Sequence, residues 1–190
     1  MSKIQSSSIS KPEFNRRNFI KFGLFTLGSA CVPSFSFAST DSPRALQMNN
    51  LHTGEILDIQ YFDGQHYQIS ELQKINYLCR DFRQNKAINM DKHLFDQLSK
   101  IQQVIGCNNQ IQIISGYRSP ETNNMLSKKS SGVAKKSLHM QGKAIDFRIE
   151  GVPLSEVRKA ALSLKTGGVG YYSKSNFVHI DTGHFRSWGG

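Results

Sequence analysis

Apolar positions along the chain change their spacing several times, and each change marks an element. Over 45–62, ALQMNNLHTGEILDIQYF, two runs rich in strand-forming residues flank His52-Thr53-Gly54-Glu55, which predicts a β-hairpin with the glycine in its turn. From Ser70 the period lengthens: Leu72, Ile75, Leu78, Cys79 and Phe82 recur at helical intervals, and Ser70 with Gln73 has the form of a capping box. A second helix takes Asp91 as its cap, buries Leu94, Phe95, Leu98, Ile101, Val104 and Ile105, and stops at Gly106. The alternating stretch QIQIIS at 110–115 reads as a strand, and Ser119-Pro120-Glu121 opens a short helix. The segment 127–137, SKKSSGVAKKS, is polar and basic and reads as an exposed loop. A strand over KAIDFRI, an amphipathic helix over PLSEVRKAALSL and a terminal hairpin from GGVGYY and NFVHID complete the chain, which has no internal repeats.

The first 38 residues follow another pattern. A Ser/Lys-rich start leads to Arg16 and Arg17, then to an apolar run from Phe19 to Val32. Basic, apolar and small-residue regions in that order are the pattern of an export signal, and Ser36-Phe37-Ala38 supplies the small residues of a cleavage site. The run is short for a membrane span and is interrupted by Gly23, Gly28 and Pro33. Paired arginines followed by Asn-Phe-Ile-Lys match a twin-arginine signal, so residues 39–190 are expected in the periplasm, with no stable membrane insertion after signal removal. An uncleaved anchor is the alternative; a lipid attached at Cys31 is poorly supported by the preceding Leu-Gly-Ser-Ala.

Composition narrows the picture further. With 38% hydrophobic and 20% charged residues in 190, the chain fits one ordinary globular domain. Residues 1–38 hold five basic residues and one acid, so their removal lowers the net charge from +10 to about +6. A basic field draws in polyanions, and export leaves the cell wall or lipopolysaccharide as partners and disfavours nucleic acid. Cys79 and Cys107 permit a disulfide but imply no disulfide scaffold.

Candidate chemistry concentrates in the last third. Alternation in 144–149 sets Ile145, Phe147 and Ile149 on one face and Ala144, Asp146 and Arg148 on the other, turning Asp146 away from the apolar side. In the final strand His179 and Asp181 share a face. A catalytic zinc takes three protein ligands from His and carboxylate and keeps a fourth position for water. His139, Asp146 and His179 supply such a set, and Gly142 lets the chain fold back between the first two. On spacing alone, a surface histidine and a strand-edge aspartate explain these residues as well.

The motifs in combination are more specific. His139-Met-Gln-Gly142-Lys-Ala144-Ile-Asp146, preceded by Ser115-Gly-Tyr-Arg118-Ser and followed by Val178-His179-Ile-Asp181, resembles the zinc peptidases of the D-Ala-D-Ala-metallopeptidase group. VanX-type dipeptidases and the hedgehog signalling domain share that superfamily. NNLHTGE, SGYRS, GVAKKS, GGVGYY and SNFVHIDTG are similar to its murein endopeptidase K type, and the resemblance runs from about Leu46 to Trp188.

The resemblance implies an α+β domain with a small antiparallel sheet flanked by helices, one catalytic zinc, and hydrolysis of peptide cross-links in peptidoglycan. By motif position His139, Asp146 and His179 would be the zinc ligands, and Arg118 would hold a substrate carbonyl, a carboxylate or the developing oxyanion. Many relatives place a general base a few positions before the third ligand. Here Asn176 and Phe177 stand there, and neither takes a proton. Asp181 is therefore expected as base or as the group that orients a ligand, with His184 a weaker candidate. His52, His66 and His93 read as surface or turn residues. Tyr171, Tyr172 and Trp188 are either groove walls or partial core, and the lysines of 128–136 either meet acidic groups of the wall or are simply solvated. A carboxypeptidase on uncross-linked stems and a non-catalytic, zinc-containing wall-binding module are the rival functions. The resemblance suggests a bond between two diaminopimelate residues as the one cut, with D-Ala to diaminopimelate left open, as is whether a regulatory lipoprotein takes part.

Overall fold

Arg44–Asn50 (β1) and Ile56–Phe62 (β2) pair antiparallel across the expected turn. They belong to the computed structural model of the chain, which describes residues 41–130 and 133–189; the export-signal reading of 1–38 and Cys31 lie outside these. Helix α1 spans Ile69–Leu78 and begins earlier than its sequence suggests. Its first turn is set by Gln68, whose carbonyl accepts from the amides of Glu71 and Leu72, while a bridge between Phe62 and Tyr67 fixes the approach of the chain. Ser70 thus lies inside the helix, and its hydroxyl contacts Glu71 instead of capping.

Helix α2, Lys92–Ile105, follows its pattern closely: the Asp91 carboxylate accepts from the amide of His93, and Gly106 closes it in the left-handed conformation. Strand β3, Ile111–Ser115, leads into α3, Pro120–Lys129, where the Ser119 hydroxyl accepts from the amide of Thr122. Ser127–Lys129 therefore belong to a helix, not to the loop expected there. A single 3-10 turn at Leu138–Gln141 precedes β4, Ala144–Ile149; then come α4, Leu154–Ser163, and the strands β5, Gly168–Tyr172, and β6, Phe177–Asp181.

A seventh strand, β7, Arg186–Trp188, has no counterpart in the sequence reading. At three residues it is too short for an alternation to be visible. The strands form one sheet in the order β2-β1-β3-β4-β6-β5-β7. The α+β class stands, but the sheet is larger than expected and mixed, because β1 pairs with β3 and β5 with β7 in parallel. Such pairings join segments distant in sequence and leave no local trace.

Helices α2 and α4 pack on each other; α2 also meets β1, and α4 meets β4, β5 and β6. The core between them includes Met48, Leu94, Phe95, Leu98, Ile111, Phe147 and Val178, all fully buried. Each such side chain contributes roughly 1.5–3 kcal/mol of transfer free energy, which is why the α2 stripe was readable from spacing alone. Cys79 and Cys107 are free thiols, and burial pushes the Cys79 thiol up to about 12. Among the described residues no helix is long and apolar enough to cross a membrane.

Candidate active site

Three elements bring His139, Asp146 and His179 together. Asp146 and His179 are direct cross-strand partners in the antiparallel β4–β6 pair, so their side chains emerge side by side on one face. His139 arrives from the 3-10 turn, whose Ser137 hydroxyl accepts from the His139 amide. Gly142 ends that turn at φ 66°, a conformation open to glycine, and an added Cβ would meet Ile88, the Asn89 carbonyl and Met90 at 3.0–3.2 Å.

Nε2 of His139 lies 3.2 Å from Oδ1 of Asp146 and 3.3 Å from Nδ1 of His179, which is 2.7 Å from the same Asp146 oxygen. Ligands about 2.0–2.1 Å from a tetrahedral ion stand about 3.3 Å apart, so the three atoms have nearly the spacing one ion requires. The other ring nitrogens fix the tautomers. Nδ1 of His139 is 2.7 Å from the Gly116 carbonyl, which only accepts, so this nitrogen carries the proton and Nε2 keeps its lone pair for the centre. Nε2 of His179 is 3.1 Å from Oδ2 of Asp181, which in the same way holds the Nε2 proton and turns Nδ1 toward the centre.

Asp146 was expected to face away from the apolar side, and it does leave the core. Yet it is only 4% exposed, because the Gly116–Ser119 segment covers that face of β4. Arg118 donates through Nη2 to Oδ2 of Asp146 at 2.7 Å and through Nε to the Ser115 hydroxyl. Burial opposes ionisation of Asp146, but the charges and hydrogen bonds of His139 and His179 outweigh it and hold the carboxyl far below its ordinary range. Burial lowers the His139 pKa. Burial acts on His179 in the same sense, but hydrogen bonds to Asp146 and Asp181 prevail and raise it to about 9.

Asp181 has no exposed surface. Its Oδ1 accepts from the amides of Gly168 and Gly183 and from Nη1 of Arg186, and its Oδ2 accepts from Nη2 of Arg186 at 2.6 Å and faces His179. Against the cost of burial, these contacts keep its carboxyl well below the usual carboxylate range. Arg186 was not singled out by sequence reasoning; its only signal is a cation five residues beyond Asp181.

These groups lie in a cleft of about 290 Å³. Tyr172, Phe177 and Trp188 line it, with Tyr172 stacked on Phe177 at 4.5 Å and the Trp188 indole N–H donating to the Tyr172 hydroxyl. The Trp188 ring sits 5.2 Å from that of His179. It occupies the space left by Gly170, which pairs with both residues; a Cβ there would come within 2.7 Å of the indole. Tyr171 instead packs against the core beneath Arg158. Of the described residues lining the cleft, the carboxylates are Asp146 and Asp181. Asn176 shapes the β5–β6 turn at φ 53°, and His184, His52, His66 and His93 are exposed and outside the cleft.

Comparison with known proteins identifies the family. Residues 38–188 match the family described as peptidoglycan L,D-endopeptidase MepK. The chain is 53% identical to the Escherichia coli K12 protein of that name over 180 residues, covering 94% of this chain and 99% of that protein, and equally so to the one from Shigella flexneri. A Haemophilus influenzae protein, named a probable peptidoglycan L,D-endopeptidase MepK, is 45% identical over 93% of this chain and 96% of its own length. No solved structure matches the chain. With residues 38–188 matched and the histidine and aspartate motifs converging in space, the chain belongs to the peptidoglycan L,D-endopeptidase MepK family.

Proposed function

We propose that this protein is a periplasmic zinc peptidase that hydrolyses peptide cross-links of peptidoglycan, the bond between two diaminopimelate residues being its substrate. The observation that carries the reading is the convergence of two histidine nitrogens and one carboxylate oxygen within 3.3 Å of one another. Two rings, one buried and one part-buried, held from behind by Gly116 and Asp181, aim one ring nitrogen each at a point beside an ionised carboxylate. Two imidazoles and one carboxylate with room for a fourth ligand are the donor set of a catalytic zinc site. When bound, zinc polarises the scissile carbonyl and supplies a water acidic enough to attack at neutral pH.

The chain's own residues do the rest. His139, Asp146 and His179 would hold the ion, and Asp181 orients His179; its burial and its five hydrogen bonds favour that role over proton transfer. Arg118 fixes the second oxygen of Asp146 and, at the cleft wall, lies where negative charge develops on the substrate carbonyl. Tyr172, Phe177 and Trp188 offer flat apolar surface to the peptide or its sugar. Residues 1–38 serve as a cleaved twin-arginine signal.

Incubating the mature chain with defined cross-linked dimers and following products by mass spectrometry tests the reading. Cleavage to monomers is expected to stop with a chelator and return with zinc. Persistence of dimers with zinc present, with shortening of monomer stems instead, would make it a carboxypeptidase; no cleavage of either with wall binding retained would make it a binding module.

A pH dependence follows from His179. Metal binding must displace the proton that its pKa of about 9 places on Nδ1, so apparent zinc affinity should rise about tenfold per pH unit from 6.5 toward 9 and then level off. The metal-free protein should behave oppositely. A raised histidine pKa contributes stability that is complete below about 6.5 and lost as pH rises through about 9. Zinc competition titrations and melting curves in chelator, each across pH 6 to 10, measure the two slopes. Parallel trends in both would refute the proton assignment.

A further inference from the structure

We propose that Lys136 is a specificity residue, binding the carboxylate that the leaving residue of the substrate carries beside the scissile amide. The inference rests on the endopeptidase reading above and names one determinant of its substrate.

Three cations line the cleft, and two are already committed. Arg118 is bound to Asp146 and Ser115, and Arg186 to both oxygens of Asp181. Lys136 is exposed and, among the described residues, has no ion-pair or hydrogen-bond partner. Of the three, its charge is the one with no partner within the described protein, whereas Arg118 acts on the carbonyl while held by Asp146. The neighbouring Lys128, Lys129 and Lys135 do not line the cleft, so the basic segment read as uniform in sequence is divided by the fold.

The backbone under Lys136 is tethered on both sides. The buried Asn123 side chain of α3 donates to the carbonyls of Ala134 and Lys135 at 3.1 and 3.4 Å. One residue later the buried Ser137 hydroxyl accepts from the amide of His139, tying the lysine to a proposed metal ligand three positions on. A flexible stem on a fixed base suits a point charge that must reach a ligand.

The substrate supplies the matching group. In a link between two diaminopimelate residues the scissile nitrogen is attached to a carbon that bears a free carboxylate. A second carboxylate, on the glutamate of the stem, lies further along the peptide and has the same chemistry. The commitment here is to the first, because Lys136 and the proposed ligands line one small cleft.

The test is a cycle of substrate against variant. Three cross-linked dimers are compared: unmodified, amidated at the leaving diaminopimelate carboxylate, and amidated at the glutamate carboxylate. Wild-type kcat/KM should fall roughly tenfold to thirtyfold on the first amide and little on the second. Lys136→Met should show the same loss on the unmodified dimer and no further loss on the diaminopimelate amide, while Lys136→Arg keeps most of the activity. Calorimetric binding of the same dimers to chelator-treated wild type and Lys136→Met should give parallel ratios without turnover. If Lys136→Met loses equally on all three dimers, or loses nothing, or if only the glutamate amide abolishes the difference, the assignment is overturned. Absence of wild-type cleavage would overturn the endopeptidase reading, with the binding ratios still deciding Lys136.

Discussion

Asp146→Asn is expected to reduce hydrolysis of cross-linked dimers by about a thousandfold or more, equivalent to about 4 kcal/mol of transition-state stabilisation, while the fold persists. Asparagine has nearly the same shape, but it removes the anion on which His139, His179 and Arg118 converge. It puts a neutral amide where zinc would take an anionic carboxylate oxygen, and the Arg118 guanidinium, no longer neutralised, adds repulsion next to the ion. Bound zinc should therefore fall with activity. Mass-spectrometric assay of the products, metal analysis and circular dichroism measure the three quantities on one preparation. A variant that stays folded and turns over within tenfold of wild type would remove Asp146 from the site.

The largest effect on stability is expected at Asp181. Alanine there leaves two glycine amides and the partly exposed Arg186 guanidinium without their acceptor at the floor of the cleft. Removing one partner of a buried pair costs about 3–5 kcal/mol, against a total of roughly 5–15 for a domain. Denaturant titration of Asp181→Ala should show this as a lower midpoint with unchanged slope, and the melting temperature should drop by roughly 10 °C or more.

Asp181→Asn separates the two roles that the sequence left open. If Asp181 orients His179, this variant loses about tenfold to a hundredfold in zinc affinity and regains turnover at high zinc. If it is the base, saturating zinc restores nothing.

Where the sequence was informative, one element sufficed to produce the signal. Helix α2 was readable from Asp91 to Gly106 because its stripe, cap and stop all lie within sixteen consecutive residues. The start of α1 was misplaced because Ser70 and Gln73 satisfy a local rule, whereas the bridge from Tyr67 back to Phe62 decides where the helix begins. The same distinction separates Lys136 from Lys135. The two adjacent residues are chemically identical, and only one meets the cleft.

The sequence by itself determined which groups are available: two histidines and an aspartate with a glycine between the first two, a set of strands and helices, and motifs specific enough to indicate a family. Tertiary structure alone decided how they are used. The register that sets Asp146 opposite His179, the carbonyl of Gly116 behind His139, and the Arg186 that neutralises Asp181 all come from different strands or loops. The physical reason is that a side chain's type and local pattern are properties of neighbouring residues. Its protonation, tautomer and partners depend on the charges and dipoles within a few ångströms, and here those belong to residues on other elements, up to 33 positions away.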